Sequence, residues 1–185
     1  MKISQDKGFT LIELVVVIVI LAILAVVAVP KFINLQKEAQ TAVIHGLAAA
    51  LKDATKLVYA KSVFAGVETL EFDDSETPSV VIDSSGTTVP LDEGYPLANW
   101  EGSLEHILHL DATSWDYNGY AIDPTAEWVY SENYENSDDN MGIEFFPRGY
   151  TLSVRGAIGK YNCYVRYNLD DGKFGYMFEV RVDGC

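Results

Sequence analysis

The sequence predicts an α+β protein, in which a long N-terminal α-helix, transmembrane and then amphipathic, packs on a C-terminal antiparallel β-sheet. Two observations predict this fold. An uninterrupted apolar run from Phe9 to Val29 is followed by residues with helical periodicity. The last third of the chain contains aromatic-rich segments in which apolar and polar residues alternate, as in half-buried strands. We expect about four strands in the sheet.

The helix is predicted to begin at Phe9 and to continue to about Ser62. Residues 9–30 are long enough to span the hydrocarbon core of a membrane, since about 20 apolar residues suffice. Pro30 is expected to kink the helix rather than end it, because periodicity resumes in residues 31–62. One side of this amphipathic continuation should pack against the sheet. That side comprises Ala39, Ala42, Val43, Gly46, Leu47, Ala50, Leu51, Ala54 and Val58.

Residues 63–185 are expected to form a head on the far side of the membrane. A short helix is predicted over residues 102–111, with Ser103 at its N-cap and three apolar residues on its inner face. These three residues are Leu104, Ile107 and Leu108. The predicted strands are 79–82, 87–89, 143–146, 150–156, 161–168 and 173–182, the last two joined by a hairpin turn at 169–173.

The N-terminus resembles a secretory signal in having a short basic segment before an apolar run. No small-residue cleavage site follows the run, because Pro30 and Lys31 come directly after it. We therefore expect the run to stay on the mature chain. The basic residues Lys2 and Lys7 should remain cytoplasmic, so the chain after about residue 30 should face outward.

The net charge of the chain and the motifs in its sequence restrict the functions that we expect. The 185-residue chain has a formal net charge of -14, and residues 68–144 contain no Lys or Arg. Nucleic-acid binding is not expected, because phosphate contacts need clustered basic residues. We also expect no enzyme and no cofactor, since neither a Ser-His-Asp set nor a Gly-rich phosphate loop stands out.

Glu13 is the sharpest candidate for a functional residue. A carboxylate inside a membrane segment is costly unless it is paired, so it suggests a function. If the chain is cut between Gly8 and Phe9, the new α-amino group of Phe9 lies one helical turn from Glu13. The partner could also be the terminus of a neighbouring copy, and both alternatives stay open.

Two cysteines, Cys163 and Cys185, lie near the C-terminus. Outside a reducing compartment such a pair is expected to form a disulfide, whereas in a reducing compartment it would more often be two free thiols or an incomplete metal site. The other candidate sites are weaker. For each of them an ordinary structural role is favoured, and we expect no metal site. They are a zinc site at His106 and His109, a calcium-binding loop at residues 131–140, and a sugar-stacking surface of Trp100, Trp115 and Trp128.

The stretch KGFTLIELVVVIVILAILAVVAVPKF, from Lys7 to Phe32, resembles the class III leader and N-terminal helix of type IV pilins and of type II secretion pseudopilins. The shared pattern is Gly8 before the cut, Phe9 after it, and Glu13 four residues later. The remainder, with its late CYVRYN segment, is most similar to mannose-sensitive haemagglutinin (MSHA) type pilins. Many type IV pilins carry a second proline near residues 48–51, which is absent here.

The resemblance implies the type IV pilin fold with residues 1–8 as a cleaved leader. It implies that a prepilin peptidase and methyltransferase cuts after Gly8 and N-methylates Phe9. It further implies that Glu13 forms a charge pair with the Phe9 amine of a neighbouring subunit during assembly, and that Cys163 and Cys185 form a disulfide.

On this resemblance we expect a structural subunit of an MSHA-like type IV pilus, used for adhesion or surface attachment. Its partners would be copies of itself and the inner-membrane assembly machinery. It would be a single-pass inner-membrane protein before assembly and part of an extracellular filament afterwards. The alternatives are a type II secretion pseudopilin and a minor tip pilin or adhesin with a carbohydrate or another surface receptor.

Overall fold

The structure, a computed structural model, describes residues 9–73, 77–115, 121–134, 141–148, 162–169 and 176–185. The chain divides into two compact units, Met1–Ala39 and Gln40–Cys185, which we call the N-terminal and the C-terminal unit. Several predicted features lie outside the described residues. These are the leader with Gly8, the strand at 150–156, the turn at 169–173 beyond its first residue, and residues 135–140 of the acidic segment.

Helix α1 runs from Leu11 to Ala65 and contributes to both units. Pro30 lies inside it, so the prediction that this proline does not end the helix is confirmed, whereas the kink stays a prediction. The helix ends at Gly66, whose φ of 71° suits a residue without a side chain. The Gly66 N–H donates to the Val63 carbonyl and the Val67 N–H donates to the Ser62 carbonyl, which is the Schellman pattern of a helix C-terminus.

Eight strands are described in the C-terminal unit, and they form two sheets. The smaller sheet contains three antiparallel strands in the order β1-β2-β3, and the larger contains five in the order β4-β5-β6-β7-β8. The smaller sheet consists of β1 (Ser79–Val81), β2 (Thr88–Asp92) and β3 (Tyr95–Pro96). The larger consists of β4 (Ala112–Ser114), β5 (Trp128–Tyr134), β6 (Met141–Pro147), β7 (Tyr164–Leu169) and β8 (Tyr176–Arg181).

The predicted α+β architecture is confirmed, but the described part of the large sheet includes two strands, β4 and β5, that the sequence did not predict. Strands β5 to β8 pair antiparallel, whereas β4 joins the edge of the sheet parallel to β5. A helical segment precedes β4 along the chain. This segment, Trp100–Leu104, is interrupted at Gly102, where φ is 76°, and leads into the single turn α2, Glu105–Ile107.

The main core lies between α1 and one face of the large sheet, as the sequence predicted. Ile44, Leu47 and Leu51 of α1 belong to the same buried cluster as Phe145 and Tyr167 of the sheet. The Tyr167 hydroxyl donates to the Pro96 carbonyl over 2.8 Å, which links the sheet to the end of β3. Removing this apolar surface from water is the main source of stability in such a unit.

The buried side of α1 differs from the predicted side by about a quarter turn. Val43, Gly46 and Ala50, which were expected to be buried, are exposed. The side that is buried includes two polar residues, Thr55 and Ser62. Their hydroxyls donate to the carbonyls three residues earlier in the helix, so burial leaves no unsatisfied donor. The full buried set is Ile44, Leu47, Leu51, Thr55, Val58 and Ser62.

The predicted helix at 102–111 is only partly correct. Leu104 and Leu108 are buried and Ile107 packs against the core, as expected. Ser103 is not an N-cap, because it is fully buried and its hydroxyl donates to the Leu97 carbonyl over 2.9 Å. The positive φ of Gly102 interrupts the helix here, so the serine side chain bonds backward along the chain rather than into a following turn.

The face of the large sheet opposite the main core carries a ladder of charged residues. Glu144 of β6 lies directly opposite Arg166 of β7, which lies opposite Glu179 of β8. Arg166 forms ion pairs with both carboxylates, and Arg181 forms a further pair with Glu179. Glu144 is fully buried, so its charge depends on this pairing.

Candidate functional site

The N-terminal part of α1 has an almost entirely apolar and exposed surface. We call residues 9–32 the apolar segment. Each of its side chains except Ala28 is exposed, and Phe9 and Phe32 are exposed to 76% and 71%. Such a continuous apolar surface requires lipid or other protein around it. By length and composition, α1 includes a stretch able to cross a membrane.

Glu13 and Thr10 cap the start of this helix. One carboxylate oxygen of Glu13, Oε2, accepts hydrogen bonds from the Thr10 N–H over 2.9 Å and from the Thr10 hydroxyl over 2.7 Å. The Thr10 hydroxyl oxygen accepts in turn from the Glu13 N–H over 3.4 Å. This reciprocal arrangement is a capping box, in which an N-cap Thr and a Glu three residues later satisfy each other's backbone donors.

The capping box places the acid beside the residue on which processing is expected. Thr10 directly follows Phe9, so Glu13 Oε2 binds the backbone N–H adjacent to the Phe9 nitrogen. The other carboxylate oxygen, Oε1, has no hydrogen-bond partner in the part of the chain that is described. The helix N-terminus also favours a negative charge at this position. One oxygen is therefore occupied within the chain and the other is open.

The capping box can be recognised from the sequence, although the prediction that Glu13 pairs with the Phe9 amine did not make use of it. Thr10 and Glu13 have the S/T-x-x-E spacing that marks a helix N-terminus. The prediction rested instead on the four-residue spacing between Phe9 and Glu13. Glu13 therefore has a local structural role as well as any role in pairing with an amine.

The predicted disulfide between Cys163 and Cys185 is present, with Cα atoms 4.9 Å apart. Cys163 is buried next to the start of β7, and its partner is the last residue of the chain. The Gly184 N–H also donates to the Asn162 carbonyl over 2.9 Å. Residues 184–185 are thus attached to the segment just before β7 by a covalent bond and a backbone hydrogen bond.

Among the described residues, the histidines of the candidate zinc site do not lie together on one helix, and the candidate calcium loop is described only in part. His106 lies in α2, whereas His109 lies beyond the end of that helix, so the two do not share one helical face. The described residues contain no group of three or more His, Cys, Asp or Glu side chains able to hold a metal ion. Residues 131–134 of the acidic segment belong to β5 rather than to a loop.

The three tryptophans do not form one exposed surface. Trp100 and Trp128 belong to the main core, where the Trp100 ring packs edge-on against Phe145 with centroids 5.8 Å apart. Trp115 is partly exposed and contacts Phe146 in a similar edge-on arrangement. The hypothesis that all three tryptophans form one sugar-stacking surface is therefore wrong. Trp115 by itself does line a cavity.

The comparisons with known proteins concern only the N-terminus. Residues 3–29 match a family model described as the prokaryotic N-terminal methylation motif. This match supports a type IV pilin-like prepilin. The motif includes Gly8, Phe9 and Glu13, and it implies processing by a prepilin peptidase and handling by pilus assembly machinery. No curated protein and no solved structure matched the chain.

The motif belongs to structural pilin-type proteins rather than to an enzyme family. A prepilin motif followed by an apolar helix fits membrane anchoring before assembly. The long helix and the antiparallel-rich sheets that follow it are also consistent with the type IV pilin fold. The motif and the fold together support a type IV pilin-like or pseudopilin protein.

Proposed function

We propose that this chain is the structural subunit of an MSHA-like type IV pilus, which assembles through its apolar segment into a surface filament for attachment. The observation that supports the proposal most directly is the state of Glu13. A membrane-buried acid with one oxygen bound in its own capping box and the other oxygen open is suited to receive a cation from elsewhere.

The cation in this proposal is the N-methylated α-amino group of Phe9, produced when the leader is cut after Gly8. Before cutting, the Phe9 nitrogen is part of a peptide bond and carries no charge. After cutting, the amine of one subunit pairs with Glu13 Oε1 of its neighbour, while Thr10 continues to hold Oε2. Apolar contacts between helices supply affinity, and the charge pair sets their axial register.

A substitution can separate the charge of Glu13 from its capping role. Glutamine preserves the capping box, which accepts Glu or Gln at this position, but removes the charge. We expect Glu13→Gln to insert into the membrane and be processed normally. Subunit association should weaken at least about a hundredfold, because breaking a desolvated ion pair costs about 3–5 kcal/mol.

The measurement is the yield of filaments sheared from cells in which the variant is the sole major pilin. Glu38→Gln is the matched control, because it removes the charge of an exposed acid from the same helix. Abundant filaments from Glu13→Gln would contradict the proposed charge pair. Mass spectrometry of the sheared material would also report the cut after Gly8 and the methyl group on Phe9.

Whether the pair lies within or between subunits can be tested with isotope-mixed filaments. Filaments assembled from light and heavy subunits are treated with a carbodiimide, which joins a carboxylate to a neighbouring amine. Pairing between subunits predicts linked Glu13 and Phe9 peptides that combine a light and a heavy member. Linked peptides of uniform label only would show that each Glu13 meets its own Phe9.

The alternatives make different predictions about location and abundance. A type II secretion pseudopilin would not be found in surface filaments, and a minor tip pilin would form only a small fraction of the sheared protein. The same mass spectrum therefore distinguishes all three functions.

A further inference from the structure

The side of α1 that faces away from the main core carries an apolar stripe in the C-terminal unit. Four of its members recur every seven residues, a spacing that places side chains on one face of a helix. They are Val43, Ala50, Leu57 and Phe64, and all are exposed, Leu57 to 67% and Phe64 to 90%. Gly46 lies on the same face, and a Cβ there would meet no atom within 4 Å. We call these five residues the outer stripe.

Two lysines flank the outer stripe and have no partner in the part of the chain that is described. Lys52 and Lys56 lie one helical turn apart, are exposed, and form no ion pair or side-chain hydrogen bond with a described residue. The other described Lys and Arg side chains of the C-terminal unit all have partners. Lys61 and Arg148 donate to backbone carbonyls, whereas Arg166 and Arg181 pair with carboxylates.

The complementary charge lies on another part of the same unit. Residues 68–144 contain many acids and no Lys or Arg. Several of these acids are exposed, and their carboxylates likewise form no ion pair or hydrogen bond with the residues that the structure describes. They include Glu71, Glu101, Asp111 and Glu127. Unpaired cations and unpaired anions are therefore both present on the C-terminal unit, but they do not meet within one chain.

The net charge gives this separation a consequence for assembly. A chain with a formal net charge of -14 repels its own copies unless its few cations face the acids of a neighbour. Contact between two outer stripes would bring the lysines of both copies together, and like charges across an interface are costly. Contact between the outer stripe and the acidic region of another copy removes this cost. A contiguous apolar surface beside charged residues is also typical of a protein contact.

We propose that the outer stripe, with Lys52 and Lys56, docks on the acidic region 68–144 of a second copy of this chain. This inference rests on the proposed function, because the two copies are neighbours in the filament. Burial of Leu57 and Phe64 adds affinity to the contact. The two lysines pair with acids of the neighbour and so fix which face of each subunit meets the next.

Carbodiimide treatment of the isotope-mixed filaments would detect the contact, because the reagent joins a lysine amine to an adjacent carboxylate. We expect peptides containing Lys52 or Lys56 to be linked to peptides from residues 68–144, with one light and one heavy member. Filaments of this chain that yield no such mixed-label link would overturn the inference and leave the proposed function intact. If the unchanged chain forms no surface filaments, the proposed function fails and this inference fails with it.

Charge reversal tests whether the lysines stabilise the contact. Lys52→Glu with Lys56→Glu should lower the yield of sheared filaments at least about tenfold, because each attraction becomes a repulsion. Lys52→Arg with Lys56→Arg is the matched control, since it keeps both cations, and should leave the yield unchanged. The amount of each variant in the membrane is measured alongside, so that a loss of filaments reports assembly. Equal filament yields from the two double variants would contradict the role of the lysines.

A pair of single variants tests the apolar part of the contact. Leu57 and Ile122 are exposed to 67% and 64%, but only Leu57 belongs to the outer stripe. Leu57→Ser should lower the filament yield about tenfold, because a leucine buried between subunits is replaced by a polar residue. Ile122→Ser should leave the yield unchanged, and neither variant should alter urea unfolding of the chain in detergent. Equal filament yields from both variants would show that the outer stripe is not buried by a neighbour.

Discussion

The apolar segment and the C-terminal unit obtain their structure from different sources. The C-terminal unit has a buried core between α1 and the large sheet, a second cluster against the small sheet, and a disulfide at its end. The apolar segment satisfies its backbone within the helix but exposes nearly all of its side chains. Contacts within the chain therefore specify the structure of the C-terminal unit, whereas the apolar segment depends on the lipid or the protein around it.

The comparison can be tested by introducing charge into both parts of the same helix. Val19 and Ile23 of the apolar segment are exposed to 51% and 63%, while Val43 and Leu57 of the C-terminal unit are exposed to 51% and 67%. Val19→Lys with Ile23→Lys should cost roughly 6 kcal/mol of insertion free energy, since each Lys near the centre of a membrane helix costs about 3 kcal/mol. Val43→Lys with Leu57→Lys should not affect insertion.

The measurement for these double variants is the fraction of chain that resists alkaline extraction from membranes. We expect most of the first variant to become extractable and the second to behave like the unchanged chain. Equal extraction of both would mean that the apolar segment is not the part that meets lipid, despite its surface.

A second test concerns a contact on which the C-terminal unit depends. The carboxylate of Glu144 is fully buried and paired with Arg166. Arg166→Leu leaves a buried charge without this cation and should lower the free energy of unfolding by about 3–5 kcal/mol. Arg181→Leu removes a pair at a half-exposed position and should cost at most about 1 kcal/mol.

Urea unfolding of the full chain in detergent would measure both changes. Membrane insertion of Arg166→Leu should remain normal, because insertion depends on the apolar segment. A similar small loss for both arginine variants would show that the ladder is a surface feature and that Glu144 is stabilised by other groups.

The long helix and the disulfide could be predicted from sequence because each has a strong local signal. An apolar run of this length permits few structures, and each of the two cysteines in the sequence has only the other as a possible partner within the chain. The motif that matches residues 3–29 could also be recognised from residue types and spacing, while the roles of Gly8, Phe9 and Glu13 within it stay predictions. The side of α1 that is buried could not, because Thr55 and Ser62 enter the core only through hydroxyl bonds to their own helix.

Strand β5 shows a second limit of sequence-based prediction. Its second half, from Ser131 to Tyr134, is polar and has the composition of an acidic loop. It forms a strand because β6 pairs with it along its whole length, with Trp128 opposite Pro147 and Tyr134 opposite Met141. Pairing between distant segments can override local composition in this way. The cavity beside β5 could not be predicted for the same reason, since residues from three separate segments line it.

The smallest expected effect concerns a carboxylate that resembles Glu13 in its local bonding but lies in the C-terminal unit. Asp83, in the turn between β1 and β2, accepts hydrogen bonds from the N–H groups of Thr87 and Ser85 and from the Ser85 hydroxyl. The bond from the Thr87 N–H, followed by that from the Ser85 hydroxyl, holds the pKa of Asp83 well below its usual range. The charged form is thus stabilised by folding.

A lowered pKa in the folded state has a definite consequence for stability. The contribution of Asp83 is complete above about pH 4, the ordinary pKa of an aspartate, and is lost as the pH falls toward the lower folded value. Asp83→Asn should therefore be less stable than the unchanged chain at neutral pH, and the difference should shrink at about pH 3 and below. Urea unfolding at both pH values would measure it, with Asp53→Asn, an exposed acid on α1, controlling for the general change of charge. A difference that is constant with pH would mean that Asp83 acts as a neutral turn residue, and that local N–H groups alone do not stabilise a carboxylate on this chain.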